Sequence, residues 1–401
     1  MKALRKYLDK IKPNFEEGGK LAMFRSVFEG FETFLFVSSE TSKSGVHIHD
    51  SIDAKRTMTA VIIALIPAVL FGMYNTGYQH YLSIGITPGI WSTFLYGLLA
   101  VLPIIIVSYV VGLGIEFTVA QWKHEEIQEG FLVSGILIPL IVPVDTPLWM
   151  IAVATAFAVI FAKEIFGGTG YNIFNVALVT RAFLFFAYPA SMSGDKVFVR
   201  TDSTFGFGGG TVVDGFSGAT PLGQINIAPA EQIGSFQPVD VLGNPLSLWD
   251  MFIGLIPGSI GETSTLAILI GAVILLFTGV ASWKTMLSVF VGGAFMACIF
   301  NLIGTTVYMT ISPLENIILG GFAFGAVFMA TDPVTSCRTE TGKYIFGFLV
   351  GVMAILIRVL NPGFPEGMML AILLLNTFAP LIDYYVVESN ISKRLKRAIN
   401  K

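Results

Sequence analysis

Apolar residues gather in long runs along this chain instead of alternating with polar ones. About 20 residues suffice to cross a bilayer as a helix, and runs of that order occur at 57–75, 92–115, 148–166, 172–189, 263–281, 285–305, 344–360 and 366–386. Two further runs, 130–143 and 314–330, are shorter or interrupted by Gly and Pro. Each leads into an aspartate and a proline, Asp145-Thr146-Pro147 and Asp332-Pro333. Counted as crossings, these runs predict an all-α integral membrane protein of ten transmembrane helices.

The charges agree with that count. Segment 1–56 holds ten Lys or Arg and the tail ends KRLKRAINK, so the positive-inside rule puts both ends in the cytoplasm, and an even number of spans allows it. The same count places loop 190–248 outside, where Lys196 and Arg200 face Asp195, Asp202, Asp214, Glu231 and Asp240. The spans divide into two sets of five. Each set has two long spans, a broken span ending in Asp and Pro, a span near a Lys and an Ile-Phe-Gly triplet (KEIFGG at 163–168, KYIFGF at 343–348), and a last span. Five is odd, so the sets are inverted, and interrupted segments at matching places are the pattern of a site built from half helices. Ten unrelated spans with ordinary Gly and Pro interruptions is the plainer reading. The expected organisation is a cytoplasmic extension 1–56, a first repeat 57–189, an external loop 190–262, a second repeat 263–386 and a basic tail 387–401. Within the loop, 249–262 reads as an interfacial or re-entrant half helix, or as a surface turn.

Composition narrows the chemistry. The 401 residues are 54% hydrophobic and 13% charged, with mean hydropathy +0.74, against about 25% charged in soluble domains. The N-terminus has scattered charges and no apolar core with a cleavage site, unlike a signal peptide. Two cysteines, Cys298 and Cys337, are too few for a disulfide framework or a cysteine-ligated iron–sulfur cluster. His47, His49, His80 and His124 all fall outside the predicted spans, which argues against a bis-histidine haem in the membrane. No strand, Gly-rich turn and helix unit of the dinucleotide kind occurs, so no NADH site is expected, and nothing supports nucleic-acid binding.

Several polar positions stand out. DGFSGAT, 214–220, combines turn-forming Gly215 and Gly218, the carboxylate of Asp214 and the hydroxyl of Thr220. It reads either as a flexible loop or as an acceptor to which an external enzyme attaches a group. Asn172 and Asn175, three residues apart, share a face if helical; their amides suit a heteroaromatic ring edge or a helix cap. Glu116 closes the second span, as an interface anchor or as part of a site. Acids at span ends are costly and often functional. Asp332 and Asp383 are hard oxygen ligands for an alkali cation, or a helix cap and an interfacial carboxylate. Arg181 and Arg358 read as snorkelling or paired.

The spacing of Asp214, Ser217, Gly218, Ala219 and Thr220 resembles the flavinylation motif of bacterial redox-driven ion pumps. With FEEGGK, DSIDAKRTM, KEIFGGTGYNIFN, RAFLFFAYPA, PGSIGETST, TDPVTS and NPGFPEGMMLAILLLNTFAPLID, the chain is similar over essentially its whole length to the B subunits of Na+-translocating NADH:quinone oxidoreductases. The related D subunits of the electron-transport complex named for nitrogen fixation share the motif and spans but lack so long an N-terminal extension. The resemblance implies FMN joined by a phosphoester bond to Thr220 by a flavin transferase, and noncovalent riboflavin at Asn172 and Asn175. It implies a ubiquinone site bordered by Gly112, Leu113 and Glu116, with Leu113 standing where the family has Gly. It links Glu29, Glu116, Asp332 and Asp383 to Na+ uptake, and the fold to inverted repeats of the urea-transporter kind. The implied setting is the bacterial inner membrane. The implied partners are the flavoprotein C subunit, the NADH-oxidising F subunit, the membrane D and E subunits, and the A subunit. Loop residues FGFGGG, 205–210, make the external loop longer than the family's. A urea- or ammonium-type channel explains the spans equally and leaves DGFSGAT without a role.

Overall fold

The computed structural model describes residues 2–15, 54–123, 130–194, 196–361 and 367–399, together with positions 19, 21, 28, 32 and 45. Glu29, His47, His49 and His124 lie outside the described residues. Regular structure among those described is helical, apart from the isolated bridges Thr204–Phe207 and Val239–Pro245. In chain order the helices are α1 (Lys2–Ile11), α2 (Ala54–Ser83), α3 (Ile90–Lys123), α4 (Phe131–Leu140), α5 (Leu148–Ala158), α6 (Val176–Ala187) and α7 (Pro221–Ile227). There follow α8 (Leu248–Ile253), α9 (Thr265–Thr278), α10 (Trp283–Ile303), α11 (Pro313–Ile318), α12 (Phe322–Phe324), α13 (Glu340–Leu360) and α14 (Met368–Ile399).

Six segments among the described residues are long and apolar enough to cross a membrane: Arg56–Ser83, Ile90–Lys123, Leu148–Phe166, Trp283–Ile303, Glu340–Leu360 and Met368–Ile399. Their outward faces are apolar, as Ile63, Ile66 and Leu70 on α2 show, which suits a hydrocarbon solvent and makes this a multi-pass membrane protein. Each expected run contains helix, but local chemistry moves the ends. Run 172–189 shortens to α6 because Asn175 caps it, and 263–281 shortens to α9 between a Ser264 cap and Gly279 in the left-handed conformation. Run 366–386 continues through the basic tail to Ile399 in one helix. α2 likewise runs to Ser83 and takes His80 inside it, contrary to the sequence expectation. Both ring nitrogens of His80 are engaged: Nδ1 contacts Arg200 O at 2.7 Å and Nε2 accepts from Gly209 N at 3.0 Å.

The two broken elements sit at the centre. α4 stops at Leu140, and the second breaks between Ile318 and Phe322 at Gly320 and Gly321, with φ of 66° and 67°. It resumes in α12 and a π turn, Gly325–Met329. Leu140, Ile141, Phe322, Phe324 and Val327 are fully buried there. Within each set the second element packs on the third and fourth, and the fourth on the fifth (α3 on α4 and α5, α5 on α6; α10 on α11 and α13, α13 on α14). Across the sets α2 packs on α9 and α6 on α14, first against first and fifth against fifth. The Ile-Phe-Gly triplets do not correspond, since Lys163 ends the fourth element of its set whereas Lys343 lies in the first turn of α13. Glycines allow the closest contacts. A Cβ on Gly97 would lie 1.6 Å from Met73 O, and one on Gly351 would lie 2.2 Å from Val289 O, the small-residue packing common between membrane helices.

Candidate functional site

Helix ends that stop inside a protein leave carbonyls without intrahelical partners. Here two buried arginines serve them. Arg181 on α6 donates to Ile141 O, just past α4, and through Nη1 to Glu262 Oε1 at 2.9 Å. Arg358 on α13 donates to Asn316 O, Leu319 O and Gly320 O at 2.6, 3.1 and 3.2 Å. Both pair inside the protein, and the snorkelling alternative is set aside by their burial. Glu262, which the sequence reading passed over, lies in the quoted block PGSIGETST and arrives at the break on segment 254–262. That segment bonds Gly261 N to Leu140 O at 2.7 Å and Ile260 N to Val142 O at 3.4 Å.

Beside the second break opens a cavity lined by Thr220, Pro257, Gly258, Ser259, Glu262, Gly320 and Gly321. Thr220 is the N-cap of α7, its Oγ1 accepting from Gly223 N at 3.1 Å. The motif before it is fixed by Gln224, whose Nε2 donates to Ala219 O and Val239 O and whose Oε1 accepts from Val239 N at 2.8 Å. Gly218 is buried, Ser217 N donates to Val241 O at 3.3 Å, and Asp214 is exposed. DGFSGAT is thus a held loop with an accessible end.

A second cavity gathers most of the other expected residues. Asn172, Asn175, Asp332, Lys163, Thr57, Ser134, Thr331 and Phe328 line it. Asn175 caps α6 with Oδ1, accepting from Ala177 N and Leu178 N at 3.0 and 3.3 Å, while its Nδ2 donates to Asp332 Oδ2 at 3.1 Å. Asn172 does not share a helix face with it, because it lies in the preceding turn, bonded to Gly170 N and Phe174 O. Asp332 also accepts from Val334 N at 3.0 Å and Thr335 Oγ1 at 3.2 Å. Desolvation raises its pKa above the ordinary carboxylate value, and these hydrogen bonds oppose the rise.

The α3 residues divide. A Cβ on Gly112 would overlap the Phe131 ring, Leu113 is partly buried against the core, and Glu116 turns inward to an ion pair with Lys163. Asp383 is outside both cavities. It accepts from Arg338 N, Thr339 N and Thr339 Oγ1 at 2.7, 3.0 and 2.5 Å and so secures the turn that starts α13. No group of three His, Cys, Asp or Glu poised for a metal occurs among the described residues.

A family model described as NQR2, RnfD, RnfE family matches residues 41–392. The chain belongs to that family. Relatives extend the likeness to nearly every residue. It is 45% identical over 417 aligned residues to the B subunit of the Na(+)-translocating NADH-quinone reductase of Chromohalobacter salexigens, covering 98% of this chain and 96% of that protein. It is 44% identical to the subunits of the same name from Ectopseudomonas mendocina and Azotobacter vinelandii, over 99% of this chain and 100% of each. The motifs read from the sequence therefore sit in a chain similar from end to end to such subunits.

Proposed function

We propose that this family member is the membrane subunit of a redox-driven sodium pump, carrying FMN on Thr220 and riboflavin in the Asn172 cavity, and passing electrons to ubiquinone while Na+ leaves the cell. The observation that carries the reading is the placement of Thr220, last residue of its motif, at a cavity walled by Gly258, Gly320 and Gly321. Asp214 and Gly215 at the start of the motif are exposed and Thr220 is half-buried, so the loop suits modification by a transferase, and a group as large as FMN on that hydroxyl would lie outside the cavity, whose volume is about 30 Å³. The second cavity fits the other flavin through its donor set, with the Asn172 and Asn175 amides, the Asp332 carboxylate and hydroxyls of Thr57, Ser134 and Thr331 around an apolar wall that includes Phe328. Flavins exchange one or two electrons, which suits chemistry between an electron-carrying partner and a quinone.

In this reading the ten helical elements are ten crossings in two inverted repeats; in both sets the second element packs on the third and fourth and the fourth on the fifth, while the first packs closely on the second in the first set alone. The ends are cytoplasmic, loop 190–248 is periplasmic, and the membrane is the bacterial inner membrane. The Thr220 cavity then opens outward, toward the electron-donating flavoprotein C subunit, and the A, D, E and F subunits complete the complex. The cytoplasmic side holds the Asn172 cavity, and Gly112 and Glu116 border the quinone. Asp332 is the cation ligand of the set; Asp383, bound to backbone, acts through the α13 turn, and Glu29 belongs to the cytoplasmic extension.

Peptide mass spectrometry of the chain from cells with an active flavin transferase tests the reading. An FMN-sized addition on the Thr220 peptide, absent in Thr220→Ala, is expected. An unmodified Thr220 in such cells would refute it and favour a channel without redox function.

A further inference from the structure

Beside the Asn172 cavity lies a buried ion pair, Lys163 with Glu116, of which the reading above gives a role to Glu116 and none to Lys163. α5 runs on into one π turn, Val159–Lys163. Such turns shift the side chains beyond them off the regular helical face and recur at functional sites. Here the shift carries Lys163 into the interior, where its ammonium donates to Glu116 Oε1 and each of the two side chains is 4% exposed. The pair is only half satisfied, because Glu116 Oε2 is buried and accepts no hydrogen bond. Burying two ions costs several kcal/mol apiece unless their hydrogen bonds are complete, so a purely structural pair is a poor use of these residues.

Lys163 also lines the cavity. Among the described lining residues it is the one cation and Asp332 the one carboxylate. The cavity is therefore polarised, with an ammonium at one position and a carboxylate backed by the Asn175 amide at another. A neutral apolar ligand gains nothing from that arrangement. A ring that takes on negative charge gains from it, and an ammonium with three donors has N–H groups left beyond the one given to Glu116.

We propose that Lys163 is the counter-charge of the flavin in this cavity, stabilising the negative charge the ring gains on reduction, and that Glu116 sets how much of the ammonium's field reaches it. The proposal rests on the riboflavin reading above. Oxidised flavin plus two electrons and one proton gives the reduced anionic ring, with the electrons supplied by the pump's donor; Lys163 acts on that charge without gaining or losing a proton or an electron. Charge placed near the ring's electron-accepting atoms is a principal means by which a protein tunes a flavin. Lys163 is thus a positioning and tuning residue.

The test measures noncovalent flavin content and its midpoint potential, by spectroelectrochemical titration of the full-length chain in the Thr220→Ala background. Lys163→Met removes the cation and moves the potential negative. Glu116→Gln leaves the cation uncompensated and moves it positive. Lys163→Arg keeps the charge and stays near the parent value. A tenfold change in the reduction equilibrium is about 30 mV for a two-electron couple, and at least that shift is expected in each direction. A structural role would move the first two variants the same way or neither, and either result overturns the proposal. Should Lys163→Met fail to fold or lose its flavin, the sign of the Glu116→Gln shift decides alone. Absence of noncovalent flavin from the parent chain would sink the riboflavin reading itself, before any variant is compared.

Discussion

Replacing Arg181 tests whether the buried charges hold the broken centre together. Its guanidinium serves Ile141 O and Glu262 together, and all three lie in the packed core at the end of α4. Removing one partner of a buried ion pair costs about 3–5 kcal/mol, since the other charge stays behind. An orphaned carbonyl adds about 1–3 kcal/mol where nothing replaces the donor. The terms overlap, so Arg181→Met is expected to lose about 4–6 kcal/mol. Glu262→Gln keeps an acceptor for Arg181 and is expected to lose about 3 kcal/mol. The double variant Arg181→Met with Glu262→Leu removes both charges and leaves only the Ile141 carbonyl unserved, so it should be more stable than Arg181→Met alone. Equilibrium unfolding of the purified chain in mixed detergent micelles, followed by near-UV circular dichroism, measures all three. A loss under about 1 kcal/mol for Arg181→Met, or a double variant no more stable than Arg181→Met alone, would refute the reasoning.

Asn175→Ala removes both the cap of α6 and the donor to Asp332; it should cost about 1 kcal/mol as a lost cap and lower noncovalent flavin content, read by acid extraction and absorbance. Gly208→Ala places a Cβ 2.1 Å from His80 Nε2 at a φ of +70°, so loop 200–213 should come loose and be cut faster in limited proteolysis, with α2 intact. Asp332, with its folded pKa raised, favours the protonated folded state. Its contribution is fully present below the ordinary carboxylate pKa and is lost as pH rises through the raised value. Unfolding followed as pH rises from the ordinary carboxylate pKa should show the loss in the parent chain and a flatter profile in Asp332→Asn.

The long helices were legible because bilayer length and apolar run length are the same quantity, and α3, α10 and α13 fall where the runs do. Their ends were less so. Ser264 and Gly279 cut α9 short through capping chemistry that a hydropathy reading averages away, and the continuation of α14 past 386 depends on helix-favouring charged residues outside the lipid run. The Asn172 and Asn175 pair and Asp332 were chosen on separate grounds and converge on one cavity. Lys163 and Glu262 were passed over for one reason. An isolated Lys or Glu near a span end looks like an interface anchor, and only the π turn in one case and the segment 254–262 in the other turn them inward.

Breaking a helix in the middle of a membrane protein is expensive because no water reaches the freed carbonyls. The two breaks meet that cost by similar chemistry from different places, Arg181 on the fifth element of its set and Arg358 on the fourth of the other. A duplicated sequence alone would have put the arginines at matching positions. Their mismatch means that the two breaks are served by residues at different places in the two sets. Each break needs a donor fork aimed at a helix end, and any neighbouring helix that can present one satisfies that need, so selection on function leaves the register of the arginine free.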